Sequence, residues 1–173
     1  MRNNGLAILE VGNTDQKNLE SLYLLINEKK GMAIRNARYI DKHNLQRYLL
    51  QHKKAGSIFY LITDETETFL GFFKVDINLQ HLSAHLNFGF DWDIPTLSTV
   101  FIESFEILRE ILISKFKIQR ILIPITGTHT DIEALIQSHP KIIHSITLQQ
   151  EHLDKDGIRQ PVTYYDYFTD NEE

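Results

Sequence analysis

At 173 residues, with 42% hydrophobic and 10% aromatic content, the chain has the size of one domain and enough apolar side chain for a substantial core. It has no cysteine, which excludes disulfides, thiolate catalysis and Cys-based zinc or iron–sulfur centres. The net charge of −5 is uneven, with ten Lys/Arg against five Asp/Glu in residues 1–56 and eight against eighteen in 57–173. A basic front can serve an anionic ligand. Its lysines and arginines are spread over predicted helices without aromatic platforms between them, so nucleic acid is not expected and a solvated face is the plain reading. The start MRNNGLAILE lacks the charged lead and apolar core of a secretory signal, and no apolar run approaches the roughly 20 residues a bilayer crossing needs. The expected location is the cytoplasm, with no membrane partner.

Leu6 to Val11 has the content of a first strand. Asp15 suits an N-cap for a helix Gln16–Glu28, whose Leu19, Leu22, Tyr23 and Ile26 share a stripe, and Gly31 suits its end. A second helix is predicted from Asp41 to about Lys54, with Leu45, Tyr48, Leu49 and His52 facing inward, and Gly56 closing it. Ser57–Thr63 and Phe69–Leu79 read as a hairpin across the acidic DETET turn, with Phe69, Phe73, Val75, Ile77 and Leu79 alternating. In the next strand Leu86, Phe88, Phe90 and Trp92 alternate with His85, Asn87, Gly89 and Asp91, which predicts one apolar and one mixed face.

Pro95 suits a turn or first helical residue before the helix 97–116, where Val100, Phe101, Phe105, Leu108, Ile111 and Leu112 recur at helical spacing. Arg120–Thr126 does not alternate, as a parallel strand covered on both faces would not. Thr130 and Glu133 give a T-x-x-E signal for a short helix ending by His139–Pro140. Lys141–Gln150 and Pro161–Phe168 read as two strands around the turn Asp154-Lys155-Asp156-Gly157, followed by a short acidic tail, 169–173. The order β-α-α-β-β-β-α-β-α-β-β is expected to form a single α/β domain over 1–173.

That order resembles the GNAT superfamily of acyl-CoA-dependent N-acyltransferases, a mixed twisted sheet with helices on both faces. The local wording is most similar to the ribosomal-protein alanine acetyltransferase branch: Asn87-Phe88-Gly89-Phe90 stands at an E-I-G-Y-like strand, Glu103-Ser104 near a T-E-A-like helix signal, and Asp156-Gly157 in the late hairpin. The resemblance implies an acetyltransferase that moves an acyl group from acetyl-CoA or another acyl-CoA to a small-molecule or peptide amine by direct attack. It implies that two neighbouring strands splay apart and that the cosubstrate's pantetheine arm lies between them along Phe88, Gly89 and Phe90. Ser98 and Thr99 are then expected at the pyrophosphate.

The sequence departs from the family wording at three places. Thr96, Leu97, Ser98 and Thr99 stand over the Gly-rich R-G-x-G, a degenerate phosphate loop without φ > 0 freedom or an arginine. The family's catalytic-base glutamate falls at Asn87, and the helix over 131–139 has no tyrosine to protonate a thiolate. A proton acceptor is still required, and Asp91, Asp93 and His85 are the candidates; strand-end capping is the plain reading for the aspartates. Tyr164, Tyr165 and Tyr167 on the last strand are candidate acids, with Tyr164 preferred, and packing or a homodimer surface as their plain reading. The pairs His81/His85 and His139/His144 lie on strands and turns without a carboxylate in register, so no metal is expected. Thr126-Gly127-Thr128-His129-Thr130 follows a buried strand and suits ligand contacts or a simple capped connection. The alternative is a catalytically inactive module of the same fold that has lost CoA binding and recognises a metabolite or protein partner.

Overall fold

The computed structural model describes residues 5–11, 55–91, 93–127, 130–153 and 157–169, the backbone of 2–3, and Asn18, Glu20, Leu22, Asn44, Arg47, Leu49, Gln51 and Lys53. One eight-stranded sheet runs through it in the order β1-β2-β3-β4-β5-β6-β8-β7. The strands are β1 (Arg2–Asn3), β2 (Leu6–Glu10), β3 (Ser57–Thr63), β4 (Phe69–Asn78), β5 (Ser83–Phe90), β6 (Arg120–Thr126), β7 (Ile143–Leu153) and β8 (Arg159–Phe168). Two helices are described over their length, α1 (Leu97–Phe116) and α2 (Thr130–Gln137). Asn18, Glu20 and Leu22 are helical, as are Arg47, Leu49, Gln51 and Lys53, in the two stretches where helices are expected. The caps expected at Asp15, Gly31 and Asp41, and the stripe residues other than Leu22 and Leu49, lie outside the described residues.

Alternation builds the core. Tyr60, Ile62, Phe73, Val75, Ala84, Leu86, Phe88 and Phe90 turn one way and pack with Val100, Phe101, Phe105, Leu108 and Leu112 of α1. Ile121, Ile123, Ile125, Tyr165 and Tyr167 continue this face under α2. The opposite face buries Phe59, Leu61 and Phe72, and Leu49 shares a pocket with Phe59 there. Beyond His85 both faces of β5 are covered, so Asn87 and Gly89 are buried where a mixed face is expected.

Other boundaries also differ from the sequence reading. Leu79 lies past the end of β4 and is 62% exposed, because the chain turns at Asn78, whose side chain accepts the His81 N–H at 3.2 Å. Thr130 opens α2 from inside the helix, and Glu133 acts on the Tyr165 phenol. The last hairpin is longer than expected at both turn-side ends, and β1 is an addition. Pro95 lies in the turn before α1. Among the described residues no helix is long and apolar enough to cross a membrane.

The end of α1 sets the position of β6. Lys117 takes the left-handed conformation, and its N–H and that of Ile118 return to Ile113 O and Leu112 O, at 3.0 and 3.3 Å. Gln119 then donates to Leu82 O at 2.7 Å, which lays the start of β6 beside the start of β5.

Candidate active site

β5 and β6 are bridged, in parallel, only at Ser83–Arg120, Ala84–Ile121 and His85–Leu122. β5 continues five residues further and β6 four, each still laddered on its outer side to β4 and β8. The bridges stop at His85 and Leu122, the apex of a slot between the unbridged lengths of the two strands.

The outer ladders decide which backbone groups line the slot. Asp91 donates its N–H to Leu70 O at 2.9 Å, so odd-numbered residues of β5 turn their peptide groups to β4. Leu86, Phe88 and Phe90 turn theirs toward β6. Gly127 donates to Pro161 O at 2.8 Å, so odd residues of β6 serve β8 while Leu122, Pro124 and Thr126 face the slot. Past the apex, no bridge joins Leu86, Phe88 or Phe90 to β6.

The rings of Phe88 and Phe90, both buried, are anchored behind this edge. Each packs on Phe101, with centroids 5.3 and 5.9 Å away, and Phe90 also meets Phe73 edge-on. Gly89 differs from its neighbours: its carbonyl turns to β4, where a Cβ on Gly71 would come within 2.7 Å of it.

At the open mouth stands the N-terminus of α1. Thr96 caps it without a side-chain hydrogen bond, the first turn has no acidic residue, and Ser98 and Thr99 are exposed. Asp91 is at this end too, its Oδ1 accepting the Asp93 N–H at 3.2 Å. Six residues of extended chain, about 20 Å, separate Asp91 from His85. These two candidate bases are not brought together.

A polar row crosses the other face at the level of the apex. Ser57 pairs with Asp76, Asp76 with His85, His85 with Leu122, and Leu122 with Asp166. Asp76 receives Lys74 Nζ at 2.9 Å on Oδ2 and the Ser57 hydroxyl on Oδ1. Buried Lys74 stands opposite buried Asn87, and Tyr164 stands opposite Pro124 on the same face across the slot. Tyr165 and Tyr167 are buried in the α1/α2 core instead. Burial and the nearby Glu133 carboxylate push the Tyr165 phenol up.

Burial alone would raise Asp166, yet Arg120 and Ser145 bond its carboxylate and hold it below the ordinary value. His139 is held by Glu106 and the Lys141 N–H, and His144 pairs with Thr147. Among the described residues no group of three His, Asp or Glu could hold a metal. The Thr126 hydroxyl is buried with no partner. Of the segment 126–130, Thr128 and His129 lie outside the described residues.

Sequence reading missed Asp76, Lys74 and Pro124, whereas Thr126 belongs to the segment 126–130 that it singled out. Only Pro124 carried a local signal, a proline inside a run of β-formers.

No protein family and no curated protein matches the chain by sequence. Solved structures do match it. The spermidine N-acetyltransferase of Vibrio cholerae in complex with CoA and spermine superposes with a TM-score of 0.76 at 13% identity, over 96% of both chains. The same enzyme in a dodecameric form gives 0.73 at 14%, over 99% of this chain and 100% of that one. A putative acetyltransferase from Acinetobacter baylyi gives 0.69 at 16%, over 95% and 93%. With its splayed β5 and β6 joined through α1, the chain has the GNAT fold.

Proposed function

We propose that the chain is an N-acetyltransferase that moves an acetyl or related acyl group from acyl-CoA to an amine by direct attack. The observation that carries this reading is the slot, whose β5 rim carries the unbridged peptide groups of Phe88 and Phe90 at the spacing of an added strand. An amide-bearing thioester arm matches those groups. The structural neighbour that holds CoA and spermine adds support for an amine acceptor.

The CoA thioester supplies an activated acyl carbon, and the residues of this chain do the rest. Phe90 pairs with amides of the arm. Phe88, the first unbridged donor beyond the apex, aims its N–H at the place where a thioester oxygen gains charge. Ser98 and Thr99, with the N–H groups of α1, meet the pyrophosphate without glycines. Asp91 stands at this phosphate end, where its charge repels, so the proton-accepting role falls to His85 at the apex. Asp76, its cross-strand neighbour, favours the imidazolium that results. Tyr164, one strand behind the β6 rim and opposite Pro124, is the donor for the departing thiolate. The acceptor amine is small or the end of a peptide, the latter in keeping with the ribosomal-protein alanine acetyltransferase wording. The domain spans 1–173 with 169–173 as a tail, and the exposed Ile143, Ile146 and Phe168 of the last hairpin suit a second copy of the chain.

Isothermal titration with acetyl-CoA tests the reading, followed by thiol release with polyamines and with alanine-initiated peptides. Micromolar binding and amine-dependent thiol release are expected. No heat at millimolar acetyl-CoA overturns the proposal and leaves a non-catalytic module of this fold.

A further inference from the structure

The divergence of β5 from β6 needs a local cause, because both strands are regular on their outer sides. The β4–β5 register runs unbroken from Gly71–Phe90 to Asn78–Ser83, and the β6–β8 register from Arg120–Phe168 to Thr126–Val162. No bulge bends either strand away. With even-numbered residues of both strands facing the gap, the His85–Leu122 bridge joins Leu122 N–H to Ala84 O and Leu86 N–H to Leu122 O. The next bond of a parallel ladder would run from residue 124 to Leu86 O. Residue 124 is proline, which has no N–H, and its ring occupies the place of the missing hydrogen. The last bridge is therefore the last one the sequence of β6 permits without a break.

Two residues further toward the mouth on the same rim is Thr126, whose hydroxyl is buried and unpartnered among the described residues. A hydroxyl left so is costly unless something meets it. We infer that Pro124 is the positioning residue that keeps the slot open, and that the Thr126 hydroxyl is the group on the β6 rim that hydrogen-bonds an amide of the arm bound against β5. The second half rests on the acyl-CoA reading, and the first does not.

Restoring the donor tests the first half without any ligand. In the unaltered chain the amide hydrogens of Phe88 and Phe90 exchange quickly; in Pro124→Ala they become protected tenfold or more and the melting temperature rises, as β5 and β6 zip together. Acetyl-CoA affinity falls at least tenfold in the same variant. Pro124→Val, which also restores the donor, gives the same pattern and is the readout should the alanine variant not fold. Unchanged exchange and melting in the folded variant overturn the role of Pro124. For the second half, Thr126→Val keeps the shape and removes the hydroxyl: melting is unchanged or higher while acetyl-CoA binding weakens about fivefold. Unaltered binding overturns it. Should the unaltered chain bind no acetyl-CoA, the acyl-CoA reading and the role of Thr126 fall together, and the exchange data still decide Pro124.

Discussion

Arg120 and Asp166 form a two-pronged ion pair across β6 and β8, Nε to Oδ1 at 2.8 Å and Nη2 to Oδ2 at 2.9 Å. Asp166 is 2% exposed, and the Ser145 hydroxyl also donates to it. The pair ties β6 to β8 one strand away from the apex, so β6 is held on its outer side just where it leaves β5.

Asp166→Asn should destabilise the fold by about 2 kcal/mol, since it strips a buried carboxylate from three donors while Arg120 remains partly solvated. The folded-state pKa of Asp166 is lowered, so its contribution is present above the ordinary carboxylate range and is lost as pH falls through that range and below. Chemical denaturation between pH 7 and pH 3 should show a decline that is shallower in the asparagine variant.

His85→Ala should lower kcat for amine acetylation by about 10²- to 10⁴-fold with acetyl-CoA affinity little changed, the range expected for losing a general base. Asp91→Asn should leave kcat within about threefold, because the Asn side-chain oxygen still accepts the Asp93 N–H. Equal losses in both variants would remove His85 from its role. The comparison is made by steady-state kinetics at saturating donor.

Asp76→Asn should lower kcat for amine acetylation several-fold, because the side chain paired with His85 then carries no charge. The asparagine keeps an acceptor for Lys74 and Ser57, so melting should move little. An unchanged kcat would confine Asp76 to a structural role.

Gly71→Ala should cost about 2 kcal/mol, the usual penalty for overpacking. Its Cβ would meet Phe90 Cδ1 at 2.6 Å and Gly89 O at 2.7 Å, and the backbone oxygen cannot rotate away. Any relief pushes β5 toward the slot, so acetyl-CoA binding should weaken along with stability, both read by calorimetry.

His139→Ala should destabilise by about 3 kcal/mol, as for other buried aromatic truncations. The ring is 2% exposed, meets Phe105 and Tyr167 edge-to-face, accepts the Lys141 N–H at Nδ1 and so donates from Nε2 to Glu106 at 2.9 Å. Thermal unfolding monitored by near-ultraviolet circular dichroism measures the loss.

Local pattern was enough for most of the scaffold. The 3.6-residue recurrence from Leu97 to Phe116, the β-rich run of β3 and the two-residue alternation through β4 and β5 name their elements because each buries its apolar side chains against a neighbour. The unalternating Arg120–Thr126 announced a strand covered on both sides. What the linear order could not carry was register. Whether His85 or Asp91 lies at the apex depends on where β6 starts and stops pairing, and that follows from Gln119 bonding Leu82 O at one end and Pro124 offering no N–H at the other. The grouping of Ser57, Lys74 and Asp76 beside His85, and of Tyr164 opposite Pro124, likewise needs strands far apart in sequence to be laid side by side. Periodicity is a property of one segment and can be read from it; a cleft is made between segments, by the hydrogen bonds they form and the one that proline forbids.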